Sequence, residues 1–562
     1  MEICKRKQNS MTKMKHIARL VFIFITATFI SCGGTVSDKR LKTGKYEITA
    51  SNESGIVQTQ YGKVAGYVDN GIFVYKGIPY AKAERFMPPV KADSWEGIRS
   101  SRAYGPTAPQ EKRTGWYSDE QAFAFDWNDG FPDEDCLRLN IWTPGVNDGK
   151  KRPVMVWLHG GGYSAGSGQE LPSYDGLNLA ASGDVVVVSL NHRLNVLGFL
   201  DLSAFGDRYS KSGNVGMLDI VEALKWVRDN IAGFGGDRSN VTIFGQSGGG
   251  GKVTTLLAMP SANGLFHKSI VQSGSILTTM TSKWSRRIGA AVVKELGISP
   301  NRIDEISKVP YDELLAAGQK AIASVRPEAE KAGFDSFLFG WAPTVDGNIL
   351  PSQPCSQESL NRSKHIPMIV GSTLHEFTTS SYVPQLRGIN EDQAAEFLKS
   401  RYGDRVGEYV ELLKKAYPQS NPLDLIDTDY TFRPWVVDQA ASRSRLGGAP
   451  TYMYLFTWQS PVMDGMLRST HCMEIPFVFN NTSLHATMTG GGAEAAVLGD
   501  KMSSAWINFA RTGNPNTPLL PEWKEYTCEE GAAMIFDNEC EVRYGHDREL
   551  VDFFRQFKSL RF

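Results

Sequence analysis

Two segments of the chain match the pattern Gly-x-Ser-x-Gly, which can hold a nucleophilic serine: residues 162–166 around Ser164 and residues 245–249 around Ser247. A nucleophile of this kind stands on a sharp turn between a buried strand and a helix, and glycines leave room for its strained backbone. The apolar run 241–244 directly precedes the second segment and a helical pattern follows it, whereas Ser164 follows a glycine loop. The sequence therefore predicts Ser247 as the nucleophile.

Gly251 and Lys252 suggest another interpretation of the same segment, a phosphate-binding loop. That motif needs a glycine where this chain has Gln246, and a serine or threonine where it has Val253. The phosphate-loop interpretation therefore fails.

A histidine followed by three glycines, residues 159–162, comes directly after an apolar run that ends at Leu158. In hydrolases such loops point backbone N–H groups at the oxygen that becomes negative when a carbonyl is attacked. Gly161 and Gly162 are the predicted donors, and the N–H of Gly248 beside the nucleophile is the third.

A serine hydroxyl is a weak nucleophile at its ordinary pKa, so a histidine base and a carboxylate that orients it should follow along the chain. Of the later histidines, His471 precedes the strongly apolar segment 474–479, which would anchor its loop. His485 and His546 lie in polar loops without comparable anchoring, and His375 precedes a carboxylate on its own loop. His471 is therefore the predicted base.

Two acidic residues compete for the supporting role. Asp346 belongs to an Asp-Gly pair typical of a turn, whereas Glu376 follows the buried-strand run 366–371. Active sites of open α/β sheets gather at the carboxyl ends of the strands. That position favours Glu376.

The elements that would position these residues alternate between strand and helix. The apolar runs 153–158 and 184–190 are continuous, as expected of strands that are buried on both faces. Apolar residues then recur at helical spacing after Asp219, ahead of the strand 241–244 and the helix 248–258. This alternation predicts an α/β fold with a large, mostly parallel sheet flanked by helices.

The 562-residue chain is 41% hydrophobic and has a formal net charge of -1. It can therefore bury a sizeable core, and its balanced charge gives no electrostatic reason to bind nucleic acid. The cysteines after residue 100 are sparse and lack metal-type spacing, so no metal site, cofactor or disulfide framework is predicted. A pairing of Cys528 with Cys540 stays open.

The first residues form a separate segment. Basic residues precede an apolar run, residues 20–30, that is too short to span a bilayer and is typical of a secretory signal. The run stops at Ser31-Cys32-Gly33-Gly34, which resembles the lipobox of bacterial lipoproteins; an ordinary secretory signal is the alternative. We expect a signal peptide over residues 1–31, a lipidated Cys32, a polar tether over 32–54 and a folded domain over 55–562. The protein is then exported, and only the lipid at Cys32 contacts a membrane.

From residue 56 onward the chain resembles the type-B carboxylesterases, which include para-nitrobenzyl esterase-like enzymes and cholinesterases. The motifs that carry the resemblance occur in family order over residues 73–80, 134–144, 191–199, 213–219 and 234–237. The resemblance implies an α/β-hydrolase fold with insertions around the active-site cleft. It also implies hydrolysis of a small-molecule carboxylic ester through an acyl-enzyme intermediate.

Matched residue by residue, the resemblance assigns three groups of residues. Ser247, Glu376 and His471 correspond to the catalytic triad. Gly161, Gly162 and Gly248 correspond to the oxyanion hole, and Ser273 corresponds to a serine that supports the triad.

The chain also departs from the family pattern. Its elbow reads Gly-Gln-Ser-Gly-Gly where relatives usually have Gly-Glu-Ser-Ala-Gly, so Gln246 removes a carboxylate beside the nucleophile and argues against a cationic substrate. Phe377 follows the acid where a small residue is common. A cysteine expected near Ala108 is missing, which leaves Cys136 without its family disulfide partner.

Two rival functions stay open. One is an enzyme that cleaves an amide, thioester or lactone, since the same catalytic groups would serve. The other is a non-catalytic binding module on the same fold, although such a module would have no need of Ser247, His471 and the glycine loop. The aromatic residues between Trp116 and Phe131 are candidates for the roof of the substrate cleft or, equally, for core packing.

Overall fold

A twelve-stranded sheet is the centre of the protein. The structure, a computed structural model, describes residues 47–111, 118–334 and 337–557. The strands of the sheet in chain order are β1 (Ile48–Thr49), β2 (Tyr67–Asp69), β3 (Ile72–Pro79), β4 (Arg138–Thr143), β5 (Arg152–Leu158), β6 (Val186–Leu190), β7 (Gly236–Gln246), β8 (Lys268–Gln272), β9 (Met368–Thr373), β10 (Thr451–Phe456), β11 (Ala532–Phe536) and β12 (Glu541–Tyr544).

The strands lie side by side in the order β1-β2-β3-β4-β6-β5-β7-β8-β9-β10-β11-β12. Every neighbouring pair from β6 to β11 is parallel. Antiparallel strands extend the sheet at both edges. The mostly parallel sheet that the continuous apolar runs predicted is therefore confirmed.

Successive side chains of the central strands enter two different cores. Val154 and Val156 of β5 belong to one buried cluster, whereas Met155 and Trp157 belong to the other. Because side chains alternate across a strand, each core covers one face of the sheet. Both faces are apolar, which explains why these strands read as uninterrupted hydrophobic runs.

Helices cover both cores and fill the connections between strands. Their bounds are α1 (Asp119–Phe125), α2 (Leu177–Gly183), α3 (Asn195–Phe199), α4 (Val215–Asn230), α5 (Gly248–Ala258), α6 (Ser282–Glu295), α7 (Tyr311–Lys331), α8 (Gln357–Ser363), α9 (Thr379–Tyr382), α10 (Glu391–Tyr402), α11 (Val406–Ala416), α12 (Pro422–Asp427), α13 (Phe432–Ser444), α14 (Ile475–Val478), α15 (Ala486–Thr489), α16 (Ala493–Thr512) and α17 (Arg548–Phe554). Buried residues of α4, α5 and α13 belong to the first core, and those of α2 and α16 to the second.

Three small sheets lie outside the large one. They are formed by Ile56–Thr59, Gly62–Ala65 and Ile98–Ser100, by Ala81–Lys82 with Val90–Lys91, and by Met280–Thr281 with Thr344–Val345.

The folded unit begins before the predicted boundary at residue 55. Strand β1 pairs Ile48 with Asp69 and Thr49 with Val68, so it is the edge strand of the large sheet. The compact unit accordingly starts at Glu47. Residues 47–54, assigned to the tether from their polar composition, therefore belong to the fold, because a two-residue edge strand is too short to produce a periodic pattern. The predicted signal peptide and Cys32 lie outside the described residues.

The five cysteines in the described part of the chain are all unpaired, so Cys528 and Cys540 form no bridge. Cys136 is buried, and the side chain of Ala108, near the position where relatives have its partner, is buried as well. No helix among the described residues has both the length and the apolar character needed to cross a bilayer.

A buried ion pair joins the segment after β6 to helix α4. Arg193 donates two side-chain hydrogen bonds to the carboxylate of Asp219, at 2.6 and 2.8 Å, and its backbone N–H donates a third at 3.1 Å. The remaining guanidinium nitrogen donates to the carbonyl oxygens of Glu84 and Met87. This pair therefore fixes three separate segments on the side of the sheet that carries α4.

Removing one partner of this pair should be costly, because the other charge would be left buried. We expect Asp219→Asn to lower the free energy of unfolding by about 3–5 kcal/mol, measured by urea titration. The control is Asp229→Asn, which breaks the partly exposed pair with Arg228 and should cost less than about 1 kcal/mol. Equal losses from the two changes would contradict a structural role for the buried pair.

Candidate active site

Ser247 occupies a strained turn between strand β7 and helix α5. Its φ of 57° and ψ of -124° lie in a region that residues other than glycine rarely adopt. The Ser247 N–H donates to the carbonyl of Gln272 at 2.9 Å, and its own carbonyl accepts from the Gly251 N–H at 2.9 Å. The predicted strand, turn and helix around this serine are therefore all present.

The close packing around the turn explains its glycines. A Cβ at position 245 would lie 2.6 Å from the carbonyl oxygen of Leu158, and a Cβ at position 249 would overlap the same oxygen. Strand β5 therefore approaches the turn too closely for any side chain at these two positions.

His471, Glu376 and Ser273 form a buried hydrogen-bonded chain. The Nδ1 atom of His471 is in a short contact with Oε2 of Glu376, and the His471 N–H donates to the Glu376 carbonyl at 2.8 Å. The other carboxylate oxygen, Oε1, accepts from the Ser273 hydroxyl at 2.6 Å and from the Thr373 N–H at 2.9 Å. Ser247, Ser273 and Glu376 follow the neighbouring parallel strands β7, β8 and β9, which brings them to one edge of the sheet.

Phe377 packs on the imidazole instead of disturbing the acid. Its ring stacks on that of His471 with centroids 5.0 Å apart, and Phe432 lies 5.6 Å from the same imidazole. The bulky residue that departs from the family pattern therefore shields the ring of His471 from water.

Two further carboxyl groups lie behind Glu376. Burial, together with the charge of Glu376, raises the pKa of Glu474 to about 7 and that of Asp429 to about 7. Glu474 accepts a hydrogen bond from Gln272, and Asp429 accepts three backbone N–H groups at the start of α13. A second negative charge beside Glu376 is therefore disfavoured near neutral pH.

The glycine loop after β5 lies against the first turn of α5. Gly161 and Gly162 have φ values of 79° and 63°, which an L side chain would adopt only under strain. Among the described residues, the N–H groups of Gly161, Gly162 and Gly248 have no hydrogen-bond acceptor. These are the three predicted oxyanion-hole donors, and they are free to bind a ligand.

One cavity of about 240 Å³ brings these groups together. Ser247, His471 and all three glycines line it, with aromatic walls from Trp127, Tyr163, Tyr174, Phe337, Phe377 and Phe432. No hydrogen bond between the Ser247 hydroxyl and the His471 ring is found among the described residues. Catalytic hydrogen bonds are often longer in ligand-free structures, so this one would have to form when substrate binds.

Gln246 lies beside the imidazole. Its Nε2 is 3.3 Å from both ring nitrogens of His471, and its Oε1 accepts from the Cys472 thiol at 3.1 Å. Cys472 itself has a φ of 74°. A neutral amide, held by a thiol, therefore stands where relatives usually have a carboxylate.

The rival candidates lack the contacts or the backbone geometry of the residues described above. Asp346 accepts from Asn214 and from the backbone of its own turn. Ser164 also lines the cavity but lies in the glycine loop, with none of the elbow geometry of Ser247. His375 binds Ser469 and Asp424. No group of three His, Cys, Asp or Glu residues in the described ranges is arranged to hold a metal ion.

The expectation that His485 lacks anchoring is wrong. Its side chain is fully buried and contacts the Ser173 hydroxyl and the carbonyl oxygens of Ala124 and Phe125. Burial lowers its pKa to about 4. The anchoring comes from residues more than 300 positions away, which a local polar composition cannot reveal.

One aromatic residue of the stretch that ends at Phe131 lines the cavity, and another packs in the core. Trp127 lines the cavity, whereas Phe125 is buried in the second core. Phe123 and Phe131 are exposed, and Trp116 and Tyr117 lie outside the described residues.

Comparison with known proteins identifies this arrangement. A model of the carboxylesterase family matches residues 53–554. The chain belongs to the carboxylesterase family. It is 38% identical over 508 residues to the para-nitrobenzyl esterase of Bacillus subtilis (strain 168), covering 88% of this chain and 97% of that protein. It is 33% identical over 503 residues to the phenmedipham hydrolase of Pseudarthrobacter oxydans, covering 86% and 95%.

Solved structures agree with the family. An esterase from Clostridium hathewayi superposes with a TM-score of 0.81 at 37% identity, covering 92% of this chain and all of that chain. A thermophilic para-nitrobenzyl esterase superposes with a TM-score of 0.71 at 34% identity, covering 89% and 99%. The carboxylesterase described here therefore has the α/β-hydrolase fold and is a serine hydrolase of carboxylic esters.

Sequence reasoning missed several polar residues of this carboxylesterase site. Glu170 lines the cavity and accepts from the Ser167 N–H and the Tyr174 hydroxyl. Lys252, Asp429 and Glu474 are buried around the same site. The positions of Glu474, three residues after His471, and of Lys252, five residues after Ser247, were usable signals; Glu170 and Asp429 approach the site through the fold.

A carboxylate at position 246 should favour the protonated form of the adjacent imidazole. We expect Gln246→Glu to move the titration of His471 upward by about one pH unit relative to the parent protein, followed by NMR of labelled histidine. Gln459→Glu, at an exposed position, adds the same charge and should leave the titration in place. An unmoved His471 signal in Gln246→Glu would contradict the observed packing.

Proposed function

We propose that this carboxylesterase hydrolyses small uncharged esters, with Ser247 as the nucleophile, His471 as the general base and Glu376 as the supporting acid. The observation that carries the proposal is the convergence of Ser247, His471 and three unpaired backbone N–H groups on one cavity. Acyl transfer needs these three elements together.

The roles follow from the chemistry of each group. His471 accepts the Ser247 proton as the hydroxyl oxygen attacks the ester carbonyl, and Glu376 stabilises the resulting imidazolium through Nδ1. The N–H groups of Gly161, Gly162 and Gly248 donate to the oxygen that becomes negative. The imidazolium then protonates the leaving alcohol, and water repeats the cycle on the acyl-enzyme. Ser273 keeps Glu376 oriented through its hydroxyl.

The cavity supports a preference for small neutral substrates. Its volume of about 240 Å³ is below the roughly 300–1,000 Å³ of typical ligand pockets, and its walls are largely aromatic. Gln246 contributes no charge. The carboxylate of Glu170 lies close enough to Lys252 for their charges to attract, so it offers little to a bound cation.

Deletion of the nucleophile tests the assignment. Ser247→Ala should abolish turnover of p-nitrophenyl esters and covalent labelling by an organophosphonate, because both reactions need the hydroxyl. Ser164→Ala, at the other Gly-x-Ser-x-Gly match, should keep most of the activity and the label. Labelling that survives the first change and is lost in the second would overturn the assignment.

Substrate charge and size give a separate test. kcat/KM should be higher for p-nitrophenyl butyrate than for the palmitate. It should also be at least as high for 3,3-dimethylbutyl butyrate as for butyrylcholine, which has the same shape and a positive charge. A marked preference for the choline ester would show that the site carries a negative potential that Gln246 does not explain.

We further propose that Cys32 carries a lipid and anchors an exported enzyme to a membrane. The support is the basic residues, the short apolar run and the abrupt stop at Ser31-Cys32-Gly33-Gly34. The described fold starts at Glu47, downstream of this segment.

Metabolic labelling with a palmitate analogue should mark the parent protein and not Cys32→Ala. The unlabelled variant should keep its esterase activity in solution, because Cys32 precedes the described fold. A mature protein that starts at any residue other than Cys32 would contradict the lipoprotein form.

A further inference from the structure

Lys252 is a fully buried lysine on helix α5, five residues after the nucleophile. A buried ammonium is costly unless its hydrogens find acceptors. Here the Nζ atom donates to the carbonyl oxygens of His159 at 2.8 Å, Gly162 at 3.0 Å and Gly160 at 3.4 Å. All three acceptors belong to the glycine loop that supplies two of the oxyanion-hole donors.

All four carbonyl groups of the loop are thereby engaged in hydrogen bonds within the protein. The one carbonyl of this loop that Lys252 does not bind, that of Gly161, accepts from the N–H groups of Ser164 and Ala165. Because a peptide carbonyl and the N–H of the next residue point in opposite directions, fixing the Gly160 carbonyl fixes the Gly161 N–H. In the same way, the hydrogen bonds to the Gly161 carbonyl fix the direction of the Gly162 N–H.

Gly248 and Lys252 both lie close to the carbonyl oxygen of Gly162. They are four residues apart on α5, so they share one face of the helix. A Cβ at position 248 would overlap the carbonyl oxygen and Cα of Gly162, the residue whose carbonyl Lys252 binds. The absence of a side chain at 248 allows the loop to lie as close to α5 as the lysine holds it.

We propose that Lys252 is a positioning residue of the oxyanion hole: its ammonium holds the carbonyls of the glycine loop, so that the N–H groups of Gly161 and Gly162 meet the developing negative oxygen. The proposal rests on the function proposed above for those glycines. The ammonium contacts the carbonyl side of the loop, and its positive charge also stabilises the negative charge that forms at the N–H groups.

The surroundings of Lys252 act on its charge in two opposite directions. Burial lowers the pKa of Lys252 to about 7, and the carboxylate of Glu170 acts in the opposite direction. The nearby imidazoles of His159 and His192 are fully buried, and burial keeps their pKa values well below the usual range. Lys252 is therefore the group that can place a positive charge beside the loop carbonyls, whereas His159, whose Nδ1 lies 2.9 Å from the Gly160 carbonyl oxygen, can contact that oxygen only as a neutral imidazole.

The test replaces the ammonium with a group of similar length. Lys252→Met should lower kcat for p-nitrophenyl butyrate by about ten- to a hundredfold with little change in KM, less than the roughly hundred- to thousandfold loss that follows deletion of one donor. Lys252→Gln keeps a donor and should lose less. The matched control is Lys268→Met, which removes a buried lysine at the start of β8 that is bound to Asn240, away from the loop, and should leave kcat unchanged.

A second readout separates positioning from a general loss of packing. A trifluoromethyl ketone forms a hemiketal when the Ser247 oxygen bonds to its carbonyl carbon, His471 takes the hydroxyl proton and the carbonyl oxygen takes up the negative charge. We expect Lys252→Met to weaken this inhibitor as much as it lowers kcat/KM, and the ¹⁹F signal to show the hemiketal oxygen protonated at a higher pH than in the parent enzyme. If Lys252 only supported the packing of the protein, neither the inhibitor affinity nor the pH at which the hemiketal oxygen is protonated would change in parallel with kcat.

Gly248→Ala tests the same contact and keeps every N–H group and the lysine. It should lower kcat, and combined with Lys252→Met it should cost less than the product of the two single losses, because a loop released from the lysine can move away from the new methyl group. If the lysine variants fail to fold, this variant and its ¹⁹F signal decide the question.

The outcomes are distinguishable from a failure of the proposed function. A Ser247→Ala enzyme that keeps its esterase activity would contradict the assignment of Ser247 as the nucleophile. Inactive Ser247→Ala combined with folded Lys252→Met or Gly248→Ala enzymes that keep kcat within twofold would overturn only the role of Lys252.

Discussion

The strained backbone of Ser247 is the constraint on which the rest of the site depends. A φ of 57° at a residue that carries a side chain persists only where the surroundings fix it. Here β7 ends and α5 begins at this residue, and β5 packs so closely that Gly245 and Gly249 have no room for a Cβ. The same turn that exposes the hydroxyl also leaves the Gly248 N–H as an unpaired helix donor. The proposed nucleophile and one of the proposed oxyanion donors are thus two consequences of one turn.

The buried charges around this turn match the charges that form during acyl transfer. In the proposed mechanism, Glu376 contacts the imidazole that becomes positive, and Lys252 contacts the loop that binds the negative oxygen. Fixed charges in a water-poor interior act more strongly than in solvent and need no reorganisation during the reaction. The raised pKa values of Glu474 and Asp429 complete this arrangement, because these two neighbours of Glu376 ionise less readily than ordinary carboxyl groups.

The sequence predicted those features that local pattern determines. The strand and helix around Ser247, the parallel sheet and the acid after β9 all leave a mark within about ten residues. The environment of His485 was predicted wrongly, and Lys252 was considered only as part of a phosphate loop, because their partners lie 90 to more than 300 positions away. Edge strand β1 was missed because its pairing with β2 gives two residues no periodicity.

Three departures from the family pattern lie together around the His471 imidazole and the glycine loop. Phe377 is far in sequence from Gln246 and Gly248, yet all three lie close together in the fold. Gln246 and Phe377 contact the imidazole of His471, and Gly248 packs against the glycine loop. An amide in place of a carboxylate reduces the negative charge beside His471, and a phenyl ring covers the same imidazole from water. Taking the methyl group from position 248 lets the loop approach α5, where a buried ammonium meets its carbonyls. Together with Lys252 they leave less negative charge beside the imidazole and a buried cation beside the glycine loop, which is consistent with the proposed substrate, an ester whose charge appears only in the transition state.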